Sequence, residues 1–172
     1  MSRPTSLVAV AALALVGCGG GGGSDTELEP GPTVAGFEFT NESAVVEGEP
    51  IDARFTCDGE DVSLALAWEG VPEGTGELAL VLEDPDAPGA TFTHWLVYGL
   101  GPTVTGLPAG DRDWTGYGPG TPREGENDFI FRLLSLDAPL ELASGADRAT
   151  FDESVAPHLL AEARLTATYA RG

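Results

Sequence analysis

Apolar positions along this chain fall into two kinds of run. The first is a single block, Leu7–Val16, of ten consecutive Leu, Val and Ala residues. The others are short, alternating or nearly continuous, and separated by Gly, Pro and Asp clusters. They predict strands over 34–39, 52–56, 65–68, 77–83, 92–100, 129–136 and 164–170. In the last of these, Leu165, Ala167 and Tyr169 share one face while Thr166 and Thr168 share the other. Seven short strands imply two packed sheets, so the fold class is mainly β with one or two short helices. The helix signal is Thr150-Phe151-Asp152-Glu153, which reads as a capping box, with Val155, Leu159 and Leu160 as the buried stripe. Pro157 interrupts that stripe and predicts a kink or two short segments.

The first apolar block reads as an address. It follows the basic start Met1-Ser2-Arg3 and is half the length a bilayer span needs, as in a signal peptide. Its end, Leu15-Val16-Gly17-Cys18, resembles a bacterial lipobox, in which the peptidase cuts before a lipid-bearing cysteine. The alternative is an ordinary secretory signal with an incidental cysteine. Gly19 to Gly23 and Ser24 then form a flexible tether, since glycine has no side chain to pack. The expected organisation is a signal peptide over 1–17, a lipidated tether over 18–32 and a folded domain over 33–172. Such a protein is extracytoplasmic, at the cell surface or in the periplasm, and held to the membrane through its N-terminal lipid.

Charge narrows the partners. Asp and Glu number 28 against 8 Arg and Lys, a formal net charge of −20. That field disfavours nucleic acid and anionic lipid surfaces, and serves either solubility or an acidic docking surface. With Cys18 acylated, Cys57 has no cysteine left to pair with, and it reads as a packed residue.

Candidate chemistry concentrates in Asp84-Pro85-Asp86-Ala87-Pro88, which follows the apolar run Leu78–Leu82 and precedes Phe92-Thr93-His94-Trp95-Leu96-Val97-Tyr98. Two prolines restrict the backbone around two carboxylates. A hairpin here brings Asp84 and His94 within reach of each other, and a neighbouring carboxylate would hold the proton on His94. The plainer readings are a turn cap for Asp84 and a satisfied core imidazole for His94. Asp86 is expected to bond nearby backbone, and His158 to be structural. No nucleophile sits at a strand-to-helix elbow, no His, Cys or Glu cluster has metal-ligand spacing, and no phosphate loop is followed by Lys. The expectation is therefore a binding protein, not an enzyme, with no cofactor and no metal.

Several separated motifs together resemble the phosphatidylethanolamine-binding protein family, in particular its bacterial Raf kinase inhibitor-like branch. They are Phe55-Thr56-Cys57-Asp58-Gly59, Leu66-Ala67-Trp68, Asp84-Pro85-Asp86-Ala87-Pro88, His94-Trp95-Leu96-Val97-Tyr98, Gly116-Tyr117-Gly118, Phe131-Arg132-Leu133-Leu134-Ser135-Leu136-Asp137 and His158-Leu159-Leu160-Ala161. The resemblance implies an antiparallel Greek-key β-sandwich and an anion pocket. Asp84 and His94 match the pocket aspartate and histidine, and Phe92 an aromatic wall. Tyr117, Gly118, Pro119 and Gly120 match a loop that offers backbone N–H groups. It also implies a cis Ala87–Pro88 bond. Departures cluster opposite Asp84, where Asn127, Asp128 and Phe129 stand in place of the family's usual histidine, arginine and tyrosine; separately, Gly99 stands where asparagine is usual. Arg123 restores a positive charge if its loop folds inward. The resemblance thus implies a small anionic or phospho-headgroup ligand held with reduced charge. The alternative is an interaction or inhibitor module, acting on a kinase-like or protease-like protein partner, that does not need the pocket.

Overall fold

A computed structural model describes residues 28–170 apart from Cys57, Asp61, Pro88 and 111–125. The expectations for Cys18, Cys57, Tyr117, Gly118, Pro119, Gly120, Arg123 and the Ala87–Pro88 bond fall outside those residues. Seven strands and one helix run in the order β1 (Glu38–Phe39), β2 (Leu66–Glu69), β3 (Glu77–Asp84), β4 (Phe92–Leu100), β5 (Gly106–Leu107), β6 (Glu126–Leu136), α1 (Arg148–Val155) and β7 (Leu159–Ala170). They form a three-stranded sheet, β1-β2-β5, and a four-stranded sheet, β4-β3-β6-β7, with every pair antiparallel. This is the expected mainly β architecture.

The near-continuous apolar run in β3 has a simple cause: both its faces are covered. Leu78, Leu80 and Leu82 join the core between the sheets, with Trp68, Trp95 and Phe131. Ala79 and Val81 point the other way, into a second cluster with Leu96, Leu134 and the α1 residues Phe151 and Val155. Every residue of β3 is buried.

Four local expectations change. The strand expected over 34–39 is reduced to Glu38–Phe39, because Val34 to Phe37 close a turn in which Phe37 N donates to Val34 O at 3.1 Å. Residues 52–56 form no strand but a 3-10 turn at Ala53–Phe55, where the Asp52 carboxylate accepts from the Arg54 amide at 2.9 Å and offers the backbone a local alternative to pairing. The helix is capped by Asp147, whose Oδ1 accepts from Thr150 N at 2.8 Å, so Thr150 lies in the first turn and does not precede it. It ends at Val155, because Pro157 has no N–H to continue the ladder, and Leu159 and Leu160 begin β7 instead of extending a helical stripe. Gly99 sits in β4 at φ 79°, where the register slips between the Leu78 and Leu80 pairings. Glycine and asparagine are the residues that adopt this conformation most readily, so the departure from asparagine is conformationally neutral.

Residues 28–32, on the tether side of the expected boundary, pack against the outer face of the four-stranded sheet. Leu28 enters the second cluster. Gly31 N donates to Glu162 Oε2 at 2.6 Å, and a Cβ at Gly31 would lie 2.9 Å from Leu159 Cδ2. Among the described residues no helix is long and apolar enough to cross a membrane.

Candidate functional site

Alternation along β3 carries Asp84, the last residue of the strand, onto the same inward face as Leu80 and Leu82. The residue is 2% exposed. Oδ1 accepts from the Asp86 amide at 2.9 Å, which closes the Asp-Pro-Asp turn, and Oδ2 accepts from Asn127 Nδ2 at 2.7 Å. Asp86 is spent on the scaffold, its Oδ2 accepting from the Asp128 amide at 2.9 Å and tying the turn to β6.

His94 reaches the same face by a break in the β3–β4 register. Trp95 pairs with Leu82 and Thr93 with Glu83, which leaves His94 as the extra residue of a bulge. Both His94 and Trp95 therefore turn inward, against strict alternation. The imidazole lies between Phe92, at 4.8 Å between ring centroids, and Phe129, at 5.1 Å. Its Nε2 is 3.7 Å from Asp84 Oδ2. Phe92, which pairs with Asp84, is 55% exposed and forms the outer lip of the cluster.

The structure thus brings Asp84, His94, Phe92 and Asn127 together at one end of the four-stranded sheet. Its electrostatics differ from expectation. Burial pushes the His94 pKa down from 6.5 more strongly than the charge and hydrogen bond of Asp84 raise it, so the ring is neutral at neutral pH instead of holding its proton. His158 lies elsewhere, with Nδ1 2.7 Å from Asp137 Oδ1. Among the described residues no group of three or more His, Cys, Asp and Glu side chains could hold a metal ion.

Sequence reasoning missed what lies behind this site. On the outer face of β3, Glu83 Oε2 accepts from Arg148 Nη1 at 2.9 Å, and the same Nη1 donates to Thr93 Oγ1 at 3.0 Å. Arg148 Nε also meets Asp152 at 2.7 Å and 2.8 Å. Deeper in the same face Arg132, 1% exposed, donates through Nε and Nη2 to the two oxygens of Glu162 at 2.9 Å, through Nη1 to the Leu28 carbonyl at 3.0 Å and through Nη2 to the Glu29 carbonyl at 3.2 Å. Burial alone would raise the Glu162 pKa, but the hydrogen bonds from Arg132 and Gly31 and the Arg132 charge hold it below 4.5. The available signal was an arginine inside an apolar strand, Phe131-Arg132-Leu133.

Residues 41–170 match the family profile described as Phosphatidylethanolamine-binding protein. The chain belongs to the phosphatidylethanolamine-binding protein family. Among similar proteins, the UPF0098 protein of Methanothermobacter thermautotrophicus is 38% identical over 138 residues, covering 71% of this chain and 91% of that one. A Mycobacterium tuberculosis protein named as a candidate lipoprotein, LppC, is 35% identical over 136 residues, covering 72% of this chain and 67% of its own. The crystal structure of Escherichia coli YbcL, described as a member of the mammalian family, superposes with a TM-score of 0.73 at 28% identity, over 80% of this chain and 100% of that one. The chain shares the fold of that structure.

Proposed function

We propose that the chain is a lipid-anchored, extracytoplasmic binding domain of the Raf kinase inhibitor-like branch. In this reading it takes a phosphorylated headgroup or related small anion at the Asp84–His94–Asn127 site. The observation that carries it is the neutral, buried imidazole of His94, 3.7 Å from Asp84 and beside the exposed Phe92. Asp84 is already held by Asn127 and by the Asp86 amide, so its remaining task is to orient His94. An arriving phosphate raises the pKa of that ring and draws a proton onto it, converting a neutral group into a charged donor. We read this as binding without turnover; among the described residues a carboxylate and two phenyl rings lie against His94. Anchoring rests on Cys18 after its apolar run and on the name of the LppC relative.

Titration calorimetry with phosphoethanolamine and inorganic phosphate, at about pH 5.5 and about pH 7.5, tests the reading. Binding should be tighter at the lower pH, take up protons, and disappear in His94→Ala. Absence of heat with either anion at both pH values refutes it. One observation favours the interaction-module alternative: both Asp84 oxygens are satisfied inside the fold. On that reading a protein partner's contact survives both Asp84→Ala and His94→Ala.

A further inference from the structure

The bulge that presents His94 is braced from the other side of the sheet. Glu83 and Thr93 are the paired residues immediately beyond it, on β3 and β4, and both point outward. A single nitrogen, Arg148 Nη1, bonds both, at 2.9 Å and 3.0 Å, while Nε of the same guanidinium is fixed on Asp152 within α1. Glu83 is next in sequence to Asp84, and Thr93 next to His94. One cation therefore pins the two strands at the place where their inward neighbours form the site.

A bulge needs such a brace. The extra residue breaks the regular β3–β4 register at His94, so the direction of its side chain depends on the local bend of β4. Without the Thr93 contact, β4 is free to slide by one residue towards regular register. That slip would return His94 or Trp95 to the outer face.

We propose that Arg148 is a positioning residue for the Asp84–His94 site, acting through Glu83 and Thr93 to hold the β-bulge that turns the imidazole inward. This assignment rests on reading the Asp84–His94 cluster as the binding site. Arg148 itself touches no ligand, and its effect reaches the site through the backbone of two strands. Arg164, which shares the outer-face charge network through Glu162 but contacts neither Glu83 nor Thr93, has no such role.

The chain has two histidines, so the imidazole signals of the full protein can be followed by NMR and assigned with His158→Gln. In Thr93→Val and Arg148→Met, the His94 titration midpoint should move up towards the solvent value near 6.5, and phosphoethanolamine affinity should fall by roughly tenfold. Arg148→Lys should restore part of both effects, and Arg164→Ala should leave both unchanged. Should Arg148→Met fail to fold, Thr93→Val removes only the acceptor and decides the matter. A folded Thr93→Val or Arg148→Met protein with an unshifted His94 signal overturns the assignment, as does an equal shift in Arg164→Ala. If wild-type protein ignores phosphoethanolamine while the His94 signal still moves in the variants, the ligand reading fails and the positioning role stands.

Discussion

The Asn127 amide holds the Asp84 carboxylate at 2.7 Å, with both residues buried at the sheet end. This bond takes the place of the charged partner that the family resemblance leads one to expect opposite Asp84. A neutral donor fixes the geometry of the aspartate while adding no positive charge for a ligand.

Replacing Asn127 with alanine should therefore act first on stability. It strips Asp84 of a buried donor and should cost about 1–3 kcal/mol in urea denaturation. A loss well below that range would mean that water replaces the amide freely and that the site is open.

Stability should depend on pH through His94. Its folded pKa lies below 6.5, so above that value both folded and unfolded states hold a neutral ring and no penalty arises. As pH falls below 6.5 the unfolded chain takes up a proton first, and stability declines until the folded pKa is passed. Urea midpoints measured between about pH 7.5 and about pH 5 should fall, with a shallower slope in His94→Phe. Saturating phosphoethanolamine should offset the decline, because the bound anion favours the protonated ring.

Arg132→Met should be among the most damaging substitutions on the outer face. It takes the buried cation from Glu162, which keeps Arg164 at 2.6 Å, removes the 3.5 Å contact to Glu83 Oε1 and releases the carbonyls of Leu28 and Glu29. A loss of about 3–5 kcal/mol is expected. Adding Glu162→Gln should recover part of it, which a double-mutant cycle in denaturant will measure.

The proposed lipid anchor has its own check. Cys18→Ser should move the protein from the membrane fraction to the soluble fraction, and should abolish incorporation of labelled fatty acid. Retention in the membrane fraction would mean that something other than this cysteine holds it there.

The long strands were legible because burial on one or both faces writes itself into composition: Leu78–Leu82, Phe92–Tyr98 and Phe129–Leu136 all appear as apolar runs where β3, β4 and β6 lie. The start of β7 was hidden because Leu159 and Leu160 also fit the helical spacing set by Val155, and only the missing N–H of Pro157 separates the two patterns. In the site, Asp84 could be anticipated from strand alternation but the inward turn of His94 together with Trp95 could not. A bulge is created by pairing between distant segments and leaves no period in either. The same holds for the protonation of His94, where the adjacent carboxylate is visible in the sequence and the burial that outweighs it is not.

The grip of Arg132 on residues 28 and 29 settles how mechanical load enters the domain. A pull on the chain ahead of Leu28 is delivered to the interior of β6 and, through Glu162, to β7, in the middle of the most extensively paired region of the sheet. Asn127 lies five residues before Arg132 in β6, roughly 17 Å from that point of attachment. In the proposed lipid-anchored form, tension at a membrane surface would thus be borne by a buried ion pair and spread across neighbouring strands, away from the Asp84–His94 end of the sheet.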